Sequence, residues 1–270
     1  MTGKLYICAL PIGNTGDITL RALEVLKQAD YIICEDTRVT KIILDKYGIS
    51  TKLLNCHKFN EKAKSAEILN LLKQGSNAVL VSDAGTPLIS DPGSFLLEEL
   101  IKNGIEITSL PGACAAIAFL SMLPRSTEEF AFIGFIPRTA EKQIEILNKY
   151  KNTNCVFYES PKRLMNTLEN IAAGIGEDTK ISIGRELTKI FEEVKTGSTA
   201  DIIEYYKTHP LKGEIAAMVY ARPDKDIEKA ELNGKIEALQ KEGFSSKDIS
   251  KIISALYGIN KNKVYKTLLG

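Results

Sequence analysis

Tryptophan is absent from this 270-residue chain, aromatics make up only 7%, and the two histidines, His57 and His209, lie far apart. With so few rings, extensive base stacking is not expected. Two distant histidines make a histidine-based metal site an unfavoured reading, and no metal is expected. Five cysteines stand at positions 8, 34, 56, 114 and 155, with no C-x-x-C pair among them. Four fall inside or beside apolar runs, which reads as buried free thiols in a reducing cytosol. No run reaches membrane-spanning length, and the opening MTGKLYICAL lacks the form of a signal peptide. A cytoplasmic protein without a membrane partner is therefore expected. An excess of either charge is missing too: 35 Lys and Arg against 34 Asp and Glu leave a formal +1. Contact with nucleic acid must then come from local patches.

What is present is an ordinary globular composition, 44% hydrophobic and 26% charged, long enough for more than one domain. Residues up to about 123 alternate strand patterns (4–10, 31–34, 52–56, 78–82, 106–110) with amphipathic helical patterns (18–30, 63–74, 94–104). That rhythm predicts a mostly parallel sheet covered on both faces, with ligands beyond the carboxyl ends of its strands. MLPRSTEE (122–129) reads as a connector. Strands are then predicted at 130–136, 155–158, 180–183, 191–196 and 214–220, with helices at 140–150, 162–173 and 200–207. Fewer helices per strand suggest a mixed sheet. Arg222-Pro223-Asp224 breaks the chain again, and 225–270 is helix-rich, with Ser246 a candidate cap and Gly258 a candidate stop. The expected division is 1–123, 124–223 and 224–270. Residues 245–270 hold five lysines and one aspartate, a net +4, which suits either a solvated tail or RNA contact.

Four strand tips carry unusual loops. In ALPIGNTGDIT (9–19), Gly13 and Gly16 permit tight or positive-φ geometry, and Thr15 or Asp17 is a candidate helix cap. CEDTR (34–38) crowds two acids, a hydroxyl and an arginine, for salt bridges or for substrate positioning and proton transfer. VSDAGTPLISDPG (81–93) is followed by no Gly-Lys-Ser/Thr and contains no G-x-G-x-x-G. Its Gly85 with Thr86-Pro87 suits close backbone approach to a small polar ligand. LPGACAAIAFL (110–120) opens a helix on small residues, suited to a carboxylate at the helix start or to tight packing. With almost no lysine, these loops fit a zwitterionic nucleoside-like ligand in an uncharged-walled crevice better than a triphosphate.

With these loops, GFIPR (134–138), FYESPKRL (157–164) and GRELTKIFEE (184–193), the chain resembles the tetrapyrrole-methylase superfamily of S-adenosylmethionine-dependent methyltransferases. Within it the chain is most similar to the ribosomal RNA small-subunit methyltransferase I family. SDAGTP-x-ISDPG is the specific element; the first glycine-rich loop alone is not. Cys114 stands where relatives often have serine. The resemblance implies two α/β domains of tetrapyrrole-methylase type with S-adenosylmethionine in the cleft between them, and a small C-terminal helical domain. It further implies 2′-O-methylation of a cytidine in the decoding region of 16S ribosomal RNA, within the assembled 30S subunit, by a homodimer. Carried onto this sequence, the cofactor-binding set is Pro11, Asp83, Gly85, Thr86, Ile89, Ala113, Cys114, Ala115, Phe135 and Ala216.

A ribose hydroxyl needs a proton acceptor, or a cation that stabilises the developing alkoxide. Asp36 or Glu159 is the expected acceptor. Arg38, Lys162, Arg163 and Arg185 are candidates to hold phosphate or alkoxide, and each also suits an interdomain salt bridge. Arg138, Lys162, Arg163, Lys189 and the tail lysines are the candidate RNA contacts. A methyltransferase of a tetrapyrrole or protein side chain, and a non-catalytic RNA-binding assembly factor, stay open as alternatives.

Overall fold

The computed structural model describes residues 2–125, 127–209, 211–222, 229–257 and 261–268. The first half runs β1 (Lys4–Cys8), α1 (Leu20–Gln28), β2 (Tyr31–Cys34), α2 (Thr37–Lys46), β3 (Lys52–Asn55), α3 (Glu61–Lys73), β4 (Ala78–Leu80), α4 (Ser94–Lys102), β5 (Glu106–Leu110) and α5 (Ala115–Ser121). Its five strands form one all-parallel sheet, order β3-β2-β4-β1-β5. The central strands are apolar because helices cover both faces: Leu5, Ile7, Ile33 and Leu80 pack on one side, Cys8, Ile32, Cys34 and Val79 on the other. Of the five cysteines, four are buried and Cys114 is half-buried.

The second half adds β6 (Phe130–Phe135), α6 (Ala140–Lys149), β7 (Asn154–Glu159), α7 (Pro161–Gly174), β8 (Lys180–Arg185), β9 (Glu193–Ser198), α8 (Thr199–Thr208) and β10 (Ile215–Val219). This sheet has the order β6-β7-β10-β8-β9; β6 and β7 are parallel and the remaining pairs antiparallel. The mixed sheet is as expected. The two sheets are joined by one apolar cluster, in which Phe119 and Leu120 of α5 meet Val156, Ala216 and Met218.

The C-terminal helices α9 (Lys229–Lys241), α10 (Ser246–Tyr257) and α11 (Lys261–Leu268) share a separate cluster of Ile236, Ile249, Ile253 and Val264. Ser245, not Ser246, caps α10. Its Oγ accepts from the Asp248 N–H at 3.2 Å and donates to Asp248 Oδ2 at 2.6 Å, a reciprocal pairing that the S-x-x-D spacing from Ser245 permits. The expected break at Pro223-Asp224 and stop at Gly258 lie outside the described residues.

Two further expectations change. CEDTR is a strand end running directly into a helix: the Asp36 side chain accepts from the Arg38 N–H at 2.9 Å and caps α2, which the sequence reading omits. In the first loop neither Gly13 nor Gly16 adopts a positive φ. Gly13 instead serves close approach, since a Cβ there would lie 2.4 Å from Lys189 Cγ. Asn14 accepts from the Gly16 N–H, and Thr19, rather than Thr15 or Asp17, caps α1. Among the described residues no helix is long and apolar enough to cross a membrane.

Candidate functional site

The order of the first sheet places the loops after β4, β1 and β5 side by side. Backbone bonds of 2.9 Å in both directions between Leu10 and Gly85 stitch the first two loops together. Gly85 sits at φ +75°, where a side chain is strained, so the glycine is what lets the turn close. Thr86 Oγ1 donates to the Ala113 carbonyl at 2.9 Å and fixes the third loop to the second. Ser82 Oγ bonds the carbonyls of Ala84 and Gly85 at 3.1 and 3.2 Å from below.

Across from these loops stand the ends of β6, β7 and β10. Between the two sides lies a cavity of about 390 Å³. The first half contributes Ile12, the 83–86 and 89–91 stretches, Cys114 and Ala115; the second contributes Phe135, Tyr158 to Pro161, Leu187 and Gly213 to Ala216. The structure thus brings together eight residues of the expected cofactor set: Asp83, Gly85, Thr86, Ile89, Cys114, Ala115, Phe135 and Ala216. Pro11 and Ala113 stand beside lining residues but not in the wall.

The expected catalytic set divides. Glu159 lines the cavity, but its carboxylate has no solvent exposure and both its oxygens are already engaged. It accepts from the Ser160 N–H at 2.6 Å, Arg163 Nε at 2.8 Å and Thr167 Oγ1 at 2.8 Å, and Arg163 Nη2 forms an ion pair with it at 2.7 Å. Three of these contacts fall on Oε1 and one on Oε2, so both oxygens are engaged by the protein itself. Asp36 lies outside the wall, and the hydrogen bonds from Arg38 pull its pKa down to about 2. Arg38 is paired to it at 2.7 Å. Arg185 also lies outside, 3.6 Å from Glu193, which Tyr205 and Tyr206 bond as well. Arg163 and Lys189 are likewise committed, the first to Glu159 and the Ile136 carbonyl, the second to Glu186 and Glu214. Arg138 and Lys162 are exposed.

Residues absent from the expected set complete the wall. Tyr158 Oη accepts the Ala116 N–H at 3.0 Å, so one free donor at the start of α5 is already used. Phe132 and Phe135 meet the tyrosine ring edge-on at 4.9 and 5.7 Å. Burial, with smaller contributions from Cys114 and Asp91, pushes the Tyr158 hydroxyl up to about 12. Leu187 and Tyr158 lie within the GRELTKIFEE and FYESPKRL motifs. Glu214 lies in none, and the only local signal is a Gly-Glu pair entering an apolar strand.

The wall is not uncharged. It carries the carboxylates of Asp83, Asp91, Glu159 and Glu214 and no lysine or arginine. Arg163 neutralises Glu159, and Lys189 Nζ holds Glu214 at 2.9 Å. Asp83 and Asp91 have no cation beside them in the wall. Burial raises both pKa values first, and neighbouring acids, Asp36 for Asp83 and Glu35 with Asp83 for Asp91, add to it. Such a pocket repels a polyphosphate and attracts a compact cation with an apolar body.

A family model of the tetrapyrrole (corrin/porphyrin) methylases matches residues 4–203. Ribosomal RNA small subunit methyltransferase I of Haemophilus influenzae is 39% identical over 98% of this chain and 96% of its own length. Among solved structures, diphthine synthase superposes with a TM-score of 0.64 at 14% identity, over 81% of this chain and 90% of that one. Uroporphyrin-III C-methyl transferase from Thermus thermophilus, complexed with S-adenyl homocysteine, gives 0.58 at 16%, over 80% and 97%. At such identities the structures speak for the fold. Two sheets facing a shared cleft, the matched family model and the near full-length relative agree: the chain belongs to the tetrapyrrole methylases and, within them, to the ribosomal RNA small subunit methyltransferase I family.

Proposed function

We propose that the chain is an S-adenosylmethionine-dependent methyltransferase acting on the ribose 2′-oxygen of a cytidine in the decoding region of 16S ribosomal RNA. It works in the cytoplasm as a homodimer, on the assembled 30S subunit. The observation that carries the cofactor reading is the cation-free cleft with Asp83 and Asp91 in its wall. S-adenosylmethionine has a sulfonium, an ammonium and a carboxylate, so its charge suits these two aspartates. Ile12, Ile89, Phe135 and Leu187 supply apolar surface, and Gly85, Cys114, Ala115 and Ala216 leave room. The bound cofactor supplies an activated methyl group. The protein's share is alignment and exclusion of water, to which the fixed loops and the Tyr158–Ala116 bond contribute.

The hydroxyl proton leaves as the new O–C bond forms. Of the four wall carboxylates, Glu214 is the one we assign as its acceptor: its side chain is 71% exposed, and Lys189 orients it. Glu159 and Asp36 hold local structure in this reading. In single-turnover assays Glu214→Gln is expected to slow transfer about 100-fold with cofactor affinity unchanged. Retention of wild-type chemistry would remove the assignment.

The activity itself is tested with labelled S-adenosylmethionine and three acceptors: naked 16S RNA, 30S subunits and a precorrin-type tetrapyrrole. Mass spectrometry of small-subunit RNA from cells lacking the protein completes the test. Transfer to subunits and loss of one ribose methyl support the reading. Transfer to the tetrapyrrole, or RNA binding without transfer, would replace it. Sedimentation of the free protein reports the dimer.

A further inference from the structure

The turn between β3 and α3 holds a phenylalanine ring in solvent. Phe59 is 94% exposed, the most exposed phenylalanine among the described residues, and it contributes nothing to the apolar clusters. Yet the turn that carries it is well bonded. The His57 N–H donates to Asn60 Oδ1 at 2.7 Å, and the Phe59 N–H donates to His57 Nδ1 at 3.2 Å. The Asn60 and Glu61 N–H groups both donate to the His57 carbonyl, at 3.0 and 2.9 Å. Glu61 Oε1 accepts the Leu96 N–H at 2.9 Å and ties the turn to α4, which follows the cleft-lining loop.

The same turn is bonded toward the cleft. Asn60 Nδ2 donates to Asn55 Oδ1 at 3.0 Å, and Asn55 Nδ2 donates to the Glu35 carbonyl at 2.6 Å. The next N–H, that of Asp36, points to Asp83 Oδ1 of the wall at 3.4 Å. Because β3, β2 and β4 are neighbouring parallel strands, their carboxyl-end loops form a row, and the Phe59 turn stands two strand spacings, about 10 Å, from the β4 loop. The stretch HKFNEKAK (57–64) has three lysines and one glutamate, a net +2. Lys58 and Lys62 are exposed, and the glutamate is the one engaged by Leu96.

We propose that Phe59 is a stacking platform for an unpaired base of the RNA close to the methylated nucleotide, with Lys58 and Lys62 facing its phosphates. The inference rests on the RNA reading above and deepens it. A base offers a face to a single ring, and a flanking phosphate matches the lysines. A protein partner docking through apolar contact would want an apolar patch around the ring, whereas Phe59 belongs to no apolar cluster, His57 meets it edge-on at 6.1 Å, and Lys58 and Asn60 flank it in the chain. The scarcity of aromatics in the chain argues against an extended platform, not against one ring.

The test uses full-length wild type, Phe59→Ala, Phe59→Leu and Phe59→Trp with 30S subunits and 16S RNA. Phe59→Ala is expected to raise the KM for the subunit, and the Kd for RNA, roughly 5- to 150-fold, the range of one stacked base. Phe59→Trp should match wild type and Phe59→Leu should resemble the alanine variant. S-adenosylmethionine affinity, read by calorimetry, should stay constant and reports that each variant is folded. Phe59→Ala indistinguishable from wild type would overturn the inference. So would full recovery in Phe59→Leu, which marks an apolar protein contact instead of a base. A wild-type protein that neither binds nor methylates the subunit overturns both readings; a competent wild type beside an unaffected Phe59→Ala overturns this one alone.

Discussion

Asp83 and Asp91 enter the cleft as acids whose ionised forms are disfavoured by burial. Their folded pKa values lie above the ordinary aspartate value of 3.8. The stability they contribute is therefore complete below that value and is lost as pH rises through the raised folded values. Above that window the ionised forms carry the cost of burial until a cation arrives. Binding of S-adenosylmethionine should favour the ionised forms, so its affinity should fall as pH drops through the same window. Asp91→Asn is expected to stabilise the ligand-free protein at pH 7, weaken cofactor binding roughly tenfold, and flatten this pH dependence. Calorimetry across that range checks all three, and an affinity that is flat in wild type would contradict the assignment. Glu159 makes the opposite case: a buried carboxylate serving structure. Glu159→Ala removes the carboxylate partner of Arg163, leaving it only the Ile136 carbonyl, and should cost about 3 kcal/mol in urea unfolding. Any loss of methyl transfer in that variant should track the loss of folded protein.

Elements differ in how openly the sequence announces them. In the first sheet the edge strands β3 and β5, partly exposed, show through their apolar residues between helical patterns, while the central strands β2 and β4 are legible because strands buried on both faces read as apolar runs. Helix α2 is not: its cap, Asp36, sits in a cluster that looks equally like a charged loop, and only Thr40 and Leu44 face fully inward. The cap of α10 shifts by one residue because two adjacent serines stand at the start of the helix and only the reciprocal Asp248 contact separates them. The cleft divides in the same way. Loops with glycine and proline at strand tips could be read, since backbone approach leaves a compositional mark. Glu214 could not, because its importance comes from β10 being inserted between β7 and β8, a long-range pairing. The loop–loop stitch offers an element-scale test. Gly85→Ala forces a side chain onto φ +75° and places its Cβ 3.3 Å from Ile12 Cγ2. The strain costs about 1–2 kcal/mol. If it is relieved by releasing the Leu10–Gly85 bonds, cofactor affinity should fall more than global stability; equal losses would mean the stitch matters only for folding.

Taken whole, the molecule has two sheets fused through one apolar cluster and a third group of helices with a core of its own. The expected boundary near 223 is thus a proposal with a direct consequence. Removing residues 224–270 deletes the cluster of Ile236, Ile249, Ile253 and Val264 as a unit and takes no member from the cluster behind the cleft. The truncated protein should keep its affinity for S-adenosylmethionine. It should lose RNA affinity, because a chain with a net charge of only +1 holds a net +4 within 245–270. If those charges meet phosphates, the log–log slope of RNA binding against salt should shrink by up to about 3, at ~0.7 per neutralised phosphate on single strands. Filter binding at several salt concentrations measures the slope, and calorimetry measures the cofactor. An unchanged slope would make the helices a solvated appendage. A fall in cofactor affinity would instead assign them to the folding of the cleft.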